Sequence, residues 1–195
     1  MIRTFVAVEL DPRIRQAVIE VQSAVKERLI RTLRGVRIQW LRPEAIHLTL
    51  KFLGDIDEAT LPDLERALAA VMRGMPRFSV QVGGVGAFPD ERAPRVLWVG
   101  LTDPEQALAR LARTVETALE PLGFLREGRP FSPHLTMARI KDRPREVGVA
   151  LGRLNLQEQI TPLGPLSVNG LSFMKSELKP TGAEYTRLFE IPLAG

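Results

Sequence analysis

The tripeptide His-Leu-Thr occurs twice, at His47-Leu48-Thr49 and at His134-Leu135-Thr136, and these copies hold both histidines of the 195-residue chain. They stand 87 residues apart, from 47 to 134. Each follows a proline-bearing loop signal, Arg42-Pro43-Glu44 and Ser132-Pro133, and runs into apolar residues. The recurrence reaches further. Val8-Glu9-Leu10-Asp11-Pro12 returns as Val99-Gly100-Leu101-Thr102-Asp103-Pro104. Gly84 lies 37 residues after His47 and Gly170 lies 36 after His134, each followed by an apolar residue. A period this long does not suit a solenoid. It predicts two equivalent lobes related by a pseudo-twofold axis, with the two motif strands facing one cleft.

Local patterns fill in the lobes. Asp11-Pro12 and Asp103-Pro104 each offer a helix cap followed by proline at the first helical position. Ile14, Val18, Val21, Val25 and Leu29 recur at helical spacing, as do Leu61, Leu64, Leu68, Val71 and Met72, and later Leu108, Leu111, Val115 and Leu119. Asp57 or Thr60 would cap the second of these helices. A weaker helix is expected around 145–154. Strands are expected at 2–9, 46–53, 78–88, 95–101, 131–140, 166–175 and 185–192. The result is one domain over 1–195, with repeats at roughly 1–90 and 95–195.

The chemistry follows from alternation. Residues i and i+2 of a strand share a face. His47 and Thr49 therefore point one way, and Leu48 and Leu50 the other. His134 and Thr136 likewise oppose Leu135 and Met137. Imidazole titrates near ~6.5, so at neutral pH one ring can act as base and the other as acid. Hydroxyls can donate to anionic oxygens. Two imidazoles and two hydroxyls thus suit metal-free attack at phosphorus. Lys51 falls on the histidine face by the same alternation and would add positive charge there.

A lone strand histidine is ordinarily a packed or surface residue, but the duplication argues against that here. Two histidines without acidic residues at ligand spacing make a poor zinc site. A Ser-His-Asp triad lacks a nucleophile elbow. With no cysteine there are no disulfides or thiolate metal sites. No apolar run approaches the ~20 residues of a membrane span, and the first residues do not read as a secretory signal. Together these point to a cytoplasmic protein. The formal charge of +4 favours polyanionic partners, though a soluble surface explains it equally.

At these residues the chain resembles the 2H phosphoesterase superfamily, named for two H-x-T-x motifs, and within it the RNA 2′,3′-cyclic phosphodiesterases, also called 2′–5′ RNA ligases. The likeness extends to Arg3-Thr4-Phe5-Val6-Ala7, His47 through Gly54, Pro94-Arg95-Val96-Leu97-Trp98, Phe131 through Arg139, Ser176-Glu177-Leu178 and Gly182-Ala183-Glu184-Tyr185. It implies an α+β fold, bilobal and duplicated, with antiparallel sheets lining a central cleft and helices outside. It implies hydrolysis of RNA 2′,3′-cyclic phosphate ends to 2′-phosphomonoesters without metal or cofactor. The ligase name implies the joining of such ends to 5′-hydroxyls. RNA with cyclic phosphate ends, tRNA fragments among them, is the implied partner. No membrane or obligate protein partner is expected, and the default state is a monomer.

The resemblance makes His47 and His134 the catalytic pair. Sequence symmetry does not say which is which; His47 as acid and His134 as base is the preferred assignment. Thr49 and Thr136 would hold the phosphate. Arg139 matches a family arginine that contacts it, yet its odd spacing from His134 aims it away unless a bulge intervenes. Phe5 and Tyr185 are candidates for base stacking, with packing as the other role. Two readings compete with RNA-end hydrolysis: a 2H enzyme acting on a small cyclic nucleotide phosphate, and a non-catalytic RNA- or nucleotide-binding module.

Overall fold

The structure, a computed structural model of the chain, describes residues 1–154, 162–180 and 182–195. In order, β1 (Ile2–Val8), α1 (Pro12–Thr32), β2 (Ile38–Trp40), β3 (Leu48–Ile56), α2 (Leu61–Met72) and β4 (Phe78–Phe88) make the first half. Then come β5 (Val96–Thr102), α3 (Ala107–Leu119), β6 (His134–Ile140), α4 (Pro144–Gly152), β7 (Gly164–Val168), β8 (Gly170–Lys179) and β9 (Gly182–Pro192). No helix among the described residues is long and apolar enough to cross a membrane.

The strands form one antiparallel sheet in the order β7-β4-β5-β6-β3-β1-β8-β9, with β2 added beside β6. Its two halves join where β3 meets β6, at Leu48 opposite Leu135. The repeats are interleaved rather than side by side. β4, from the first repeat, lies in the half-sheet of β5 and β6, while β8 and β9 lie beside β1. The expected strand at 166–175 is in fact two. Asn169 separates β7, which pairs with β4, from β8, which pairs with β1. Leu166 and Val168 before the break and Leu171 and Phe173 after it give both pieces the same half-buried pattern, so they read as one strand in the sequence. One residue spanning strands at opposite ends of the order requires the sheet to curl.

Helices cover the core face. Asp11 caps α1 as expected, accepting the Ile14 N–H at 2.9 Å. Asp103 instead accepts from Ala107 and Leu108, both at 2.8 Å, because Gln106 turns left-handed and delays α3. Thr60 makes no side-chain cap; Asp57 caps the short 3-10 turn before α2. The stripes of α1, α2 and α3 enter a continuous core with Val6, Val8, Leu48 and Leu135. Burying that apolar surface is the main favourable term in folding. One polar residue, Gln22, sits inside the α1 stripe, and its amide donates to the carbonyls of Leu41 and Met137, each at 2.9 Å.

Candidate active site

The junction of the half-sheets positions the motifs. With Leu48 opposite Leu135 in antiparallel register, residue 47 falls beside 136 and 49 beside 134. Both leucines are fully buried. The pleat therefore turns His47, Thr49, His134 and Thr136 together onto the concave face. All four remain partly accessible there.

Beyond the threonines, both strands carry a bulge at the same point of the motif. In β3 the register jumps from Thr49 opposite Ala7 to Lys51 opposite Val6, leaving Leu50 unmatched. In β6 it jumps from Thr136 opposite Trp98 to Ala138 opposite Leu97, leaving Met137 unmatched. An extra residue inverts the alternation downstream. Arg139 is thereby brought to the concave side, as a bulge was required to do. The same inversion overturns the expectation for Lys51. That side chain is buried on the core face, donating to the Leu125 carbonyl at 2.7 Å and lying 3.5 Å from Glu116.

The two imidazoles are held in parallel ways. His134 Nδ1 lies 2.8 Å from the Ser132 carbonyl. A carbonyl accepts only from N–H, so Nδ1 carries the proton and Nε2 of the neutral ring keeps its lone pair. His47 Nε2 lies 3.0 Å from Thr49 Oγ1, and the Ala45 carbonyl bonds the same ring. In each case the carbonyl belongs to the residue two before the histidine. Aromatic rings back both sites. Phe5 stacks on His47 at 4.7 Å and Tyr185 meets it edge-on at 5.1 Å. Phe88 meets His134 edge-on at 4.9 Å.

Burial sets the protonation. It pushes the His47 pKa down to about 4, against the opposing pull of the Ala45 carbonyl and Glu9, while Arg139 and Arg15 lower it further. Burial also lowers His134; the Ser132 carbonyl opposes this and Arg139 reinforces it. Burial raises Tyr185, with Arg139 and Arg3 opposing. The Arg139 charge is thus felt by both histidines and by Tyr185. Among the described residues it forms no ion pair with a carboxylate.

Phe5 is 1% exposed, so it packs the histidine rather than offering a face to a base. Tyr185 is half-buried beside it. Sequence reasoning passed over Phe88, whose place beside His134 follows from β4 crossing into the other half-sheet. It also passed over Phe52, 56% exposed on the concave side. A cavity of about 810 Å³ opens between the diverging strands, reaching from Thr49, Phe52 and His134 to Arg113 and Arg129. Among the described residues no three histidine or acidic side chains gather to hold a metal ion.

The profile of the LigT-like phosphoesterases matches twice, over residues 9–98 and 99–185. An RNA 2′,3′-cyclic phosphodiesterase of Methanothermobacter thermautotrophicus is 34% identical over 185 residues, covering 95% of each chain. One from Archaeoglobus fulgidus is 36% identical over 191 residues, covering 96% of this chain and 99% of its own. A crystal structure of a Thermus thermophilus protein superposes with a TM-score of 0.77 at 31% identity, over 99% of this chain and 98% of its own.

Proposed function

Because this chain belongs to the LigT-like phosphoesterase family, we propose that it opens 2′,3′-cyclic phosphates at RNA ends to 2′-phosphomonoesters, using His47 and His134 without a metal. The observation that carries this reading is the Leu48–Leu135 register, which gathers both motifs on one face.

In the reaction, one imidazole takes a proton through Nε2 from the water that attacks phosphorus. The P–O3′ bond breaks, and the other imidazole gives its proton to O3′. The products are a 2′-phosphomonoester and a free 3′-hydroxyl. We assign the base to His134, whose Nδ1–H bond to Ser132 leaves Nε2 free to accept. We assign the acid to His47, whose charged form Glu9 favours. In the free protein burial disfavours that charged form, so this assignment requires the bound anionic diester to offset the burial and let His47 carry its proton. Thr49, Thr136 and Arg139 hold the non-bridging oxygens and the charge that grows on them. With a 5′-hydroxyl in place of water, the same steps would join O5′ to phosphorus as the P–O3′ bond breaks and O3′ is protonated, leaving a 2′–5′ linkage. We take the chain to act as one cytoplasmic, monomeric domain.

The test is incubation with a short RNA ending in 2′,3′-cyclic phosphate, in EDTA. The expected product end is 2′-phosphate. Unchanged RNA that remains bound would replace catalysis by binding, and conversion of a cyclic mononucleotide alone would move the substrate to small molecules.

A further inference from the structure

The positive charge of this protein is concentrated away from the histidines. Residues 26–37 and 141–146 carry eight Lys or Arg against three Asp or Glu, a formal +5, whereas the whole chain carries +4. The remainder is therefore slightly acidic, and the basic character resides in these two stretches. They are far apart in sequence but knit together in space. Lys141 N–H donates to the Arg37 carbonyl at 2.9 Å, and Arg143 Nη2 donates to the Arg34 carbonyl at 2.8 Å. Arg37 pairs with Asp142 at 2.8 Å and Arg143 with Glu146 at 3.2 Å. Those two pairs consume the local carboxylates Asp142 and Glu146. Arg31, Arg34, Lys141 and Arg145 are exposed and have no ion-pair partner among the described residues.

Two local features run against what a merely solvated surface would select. Arg143 holds a left-handed backbone, φ 43°, a conformation that non-glycine residues adopt only under constraint. Arg145 occupies the first turn of α4, where the helix dipole disfavours a cation. The patch is also tied to the site by covalent geometry. β6 carries His134, Thr136 and Arg139 and emerges at Lys141, so seven residue steps, about 23 Å at ~3.3 Å each, lead from the histidine to the patch.

We propose that this rim, built by the end of α1 with the loop after it and by the loop after β6 with the first turn of α4, docks the sugar-phosphate backbone of the RNA whose end reacts at the histidines. The inference rests on the reading of the site as an RNA-end phosphodiesterase, and adds that its substrate is a polynucleotide held several nucleotides from the reacting phosphate. Guanidinium and ammonium groups without carboxylate partners bind phosphates by charge and by release of the counterions condensed on the strand. Such interactions position the chain without reading its sequence.

The experiment compares the unaltered protein with an Arg34→Gln/Lys141→Gln/Arg145→Gln variant. It uses a cyclic-phosphate-ended oligonucleotide and the matching cyclic mononucleotide, with the unfolding midpoint as a control for integrity. The expected result is a fall on the order of 10-fold in the oligonucleotide-to-mononucleotide ratio of kcat/KM at low salt. The slope of log affinity against log salt for the oligonucleotide should flatten by about 2, at ~0.7 for each single-strand phosphate that a cation no longer neutralises. An unchanged ratio and slope, or an equal loss on both substrates, would overturn the proposal. Should neither substrate turn over with the unaltered protein, the hydrolase reading fails, while the salt slope still decides whether RNA rests on this rim.

Discussion

Phe52 and Arg139 occupy equivalent places in the two half-sheets, each two residues past the unmatched residue of its motif strand and 87 residues apart. The duplication thus preserves the backbone device and changes its cargo. One half presents an exposed ring to the cleft, the other a guanidinium. This is one of the places where the duplicated site loses its symmetry.

Arg139 is expected to act on charge at the phosphate and on the rings beside it. Arg139→Gln should lower kcat/KM by about 10²-fold, the scale of losing one donor to developing charge. It should also raise the pKa of both histidines and of Tyr185, since its charge lowers all three. The chain has two histidines, so an NMR titration follows each ring separately. Unmoved histidine titrations would place the guanidinium elsewhere.

His47→Ala and His134→Ala should each cost on the order of 10³-fold or more in kcat, and the double variant little beyond either single one, because the groups act as a unit. Thr49→Ala and Thr136→Ala should cost about 10²-fold. Circular dichroism should show the fold intact in all four. Independent, additive losses would break the paired mechanism.

Gln22 braces the β6 bulge from inside the α1 stripe. Gln22→Leu leaves the Leu41 carbonyl without this donor and removes one of two from Met137. A loss of about 1–3 kcal/mol in chemical denaturation is expected for the polar groups left unpaired. Activity should fall as well, as the bulge relaxes and Arg139 turns. A variant that loses stability but keeps full kcat/KM would show that the bulge holds without this amide.

Acid sensitivity follows from the buried ring. His47 titrates at about 4 in the folded protein and near ~6.5 when unfolded. As pH falls the unfolded chain binds this proton first, which drains stability from the folded state. The contribution is fully present above pH ~6.5 and is lost on the way down to about 4, roughly 3 kcal/mol in all. Burial of His134 acts in the same direction. Urea unfolding at neutral and mildly acidic pH should therefore show a smaller pH effect for His47→Gln than for the unaltered chain.

Features that depend on local chemistry were legible in the order of amino acids. Two histidines in identical surroundings, alternation up to the threonines, the stripes of α1, α2 and α3 and the cap at Asp11 each rest on neighbours within a turn or a pleat. Features that depend on strand partners were not. The bulges at Leu50 and Met137 exist only against β1 and β5, and they alone send Lys51 to the core and Arg139 to the cleft. The break at Asn169 and the exchange of β4 and β8 between half-sheets arise because a strand's place is chosen by its partners' edges. That choice brings Tyr185 to His47 and Phe88 to His134, so the depth at which each imidazole is buried, and with it its charge, was settled only by the folded sheet.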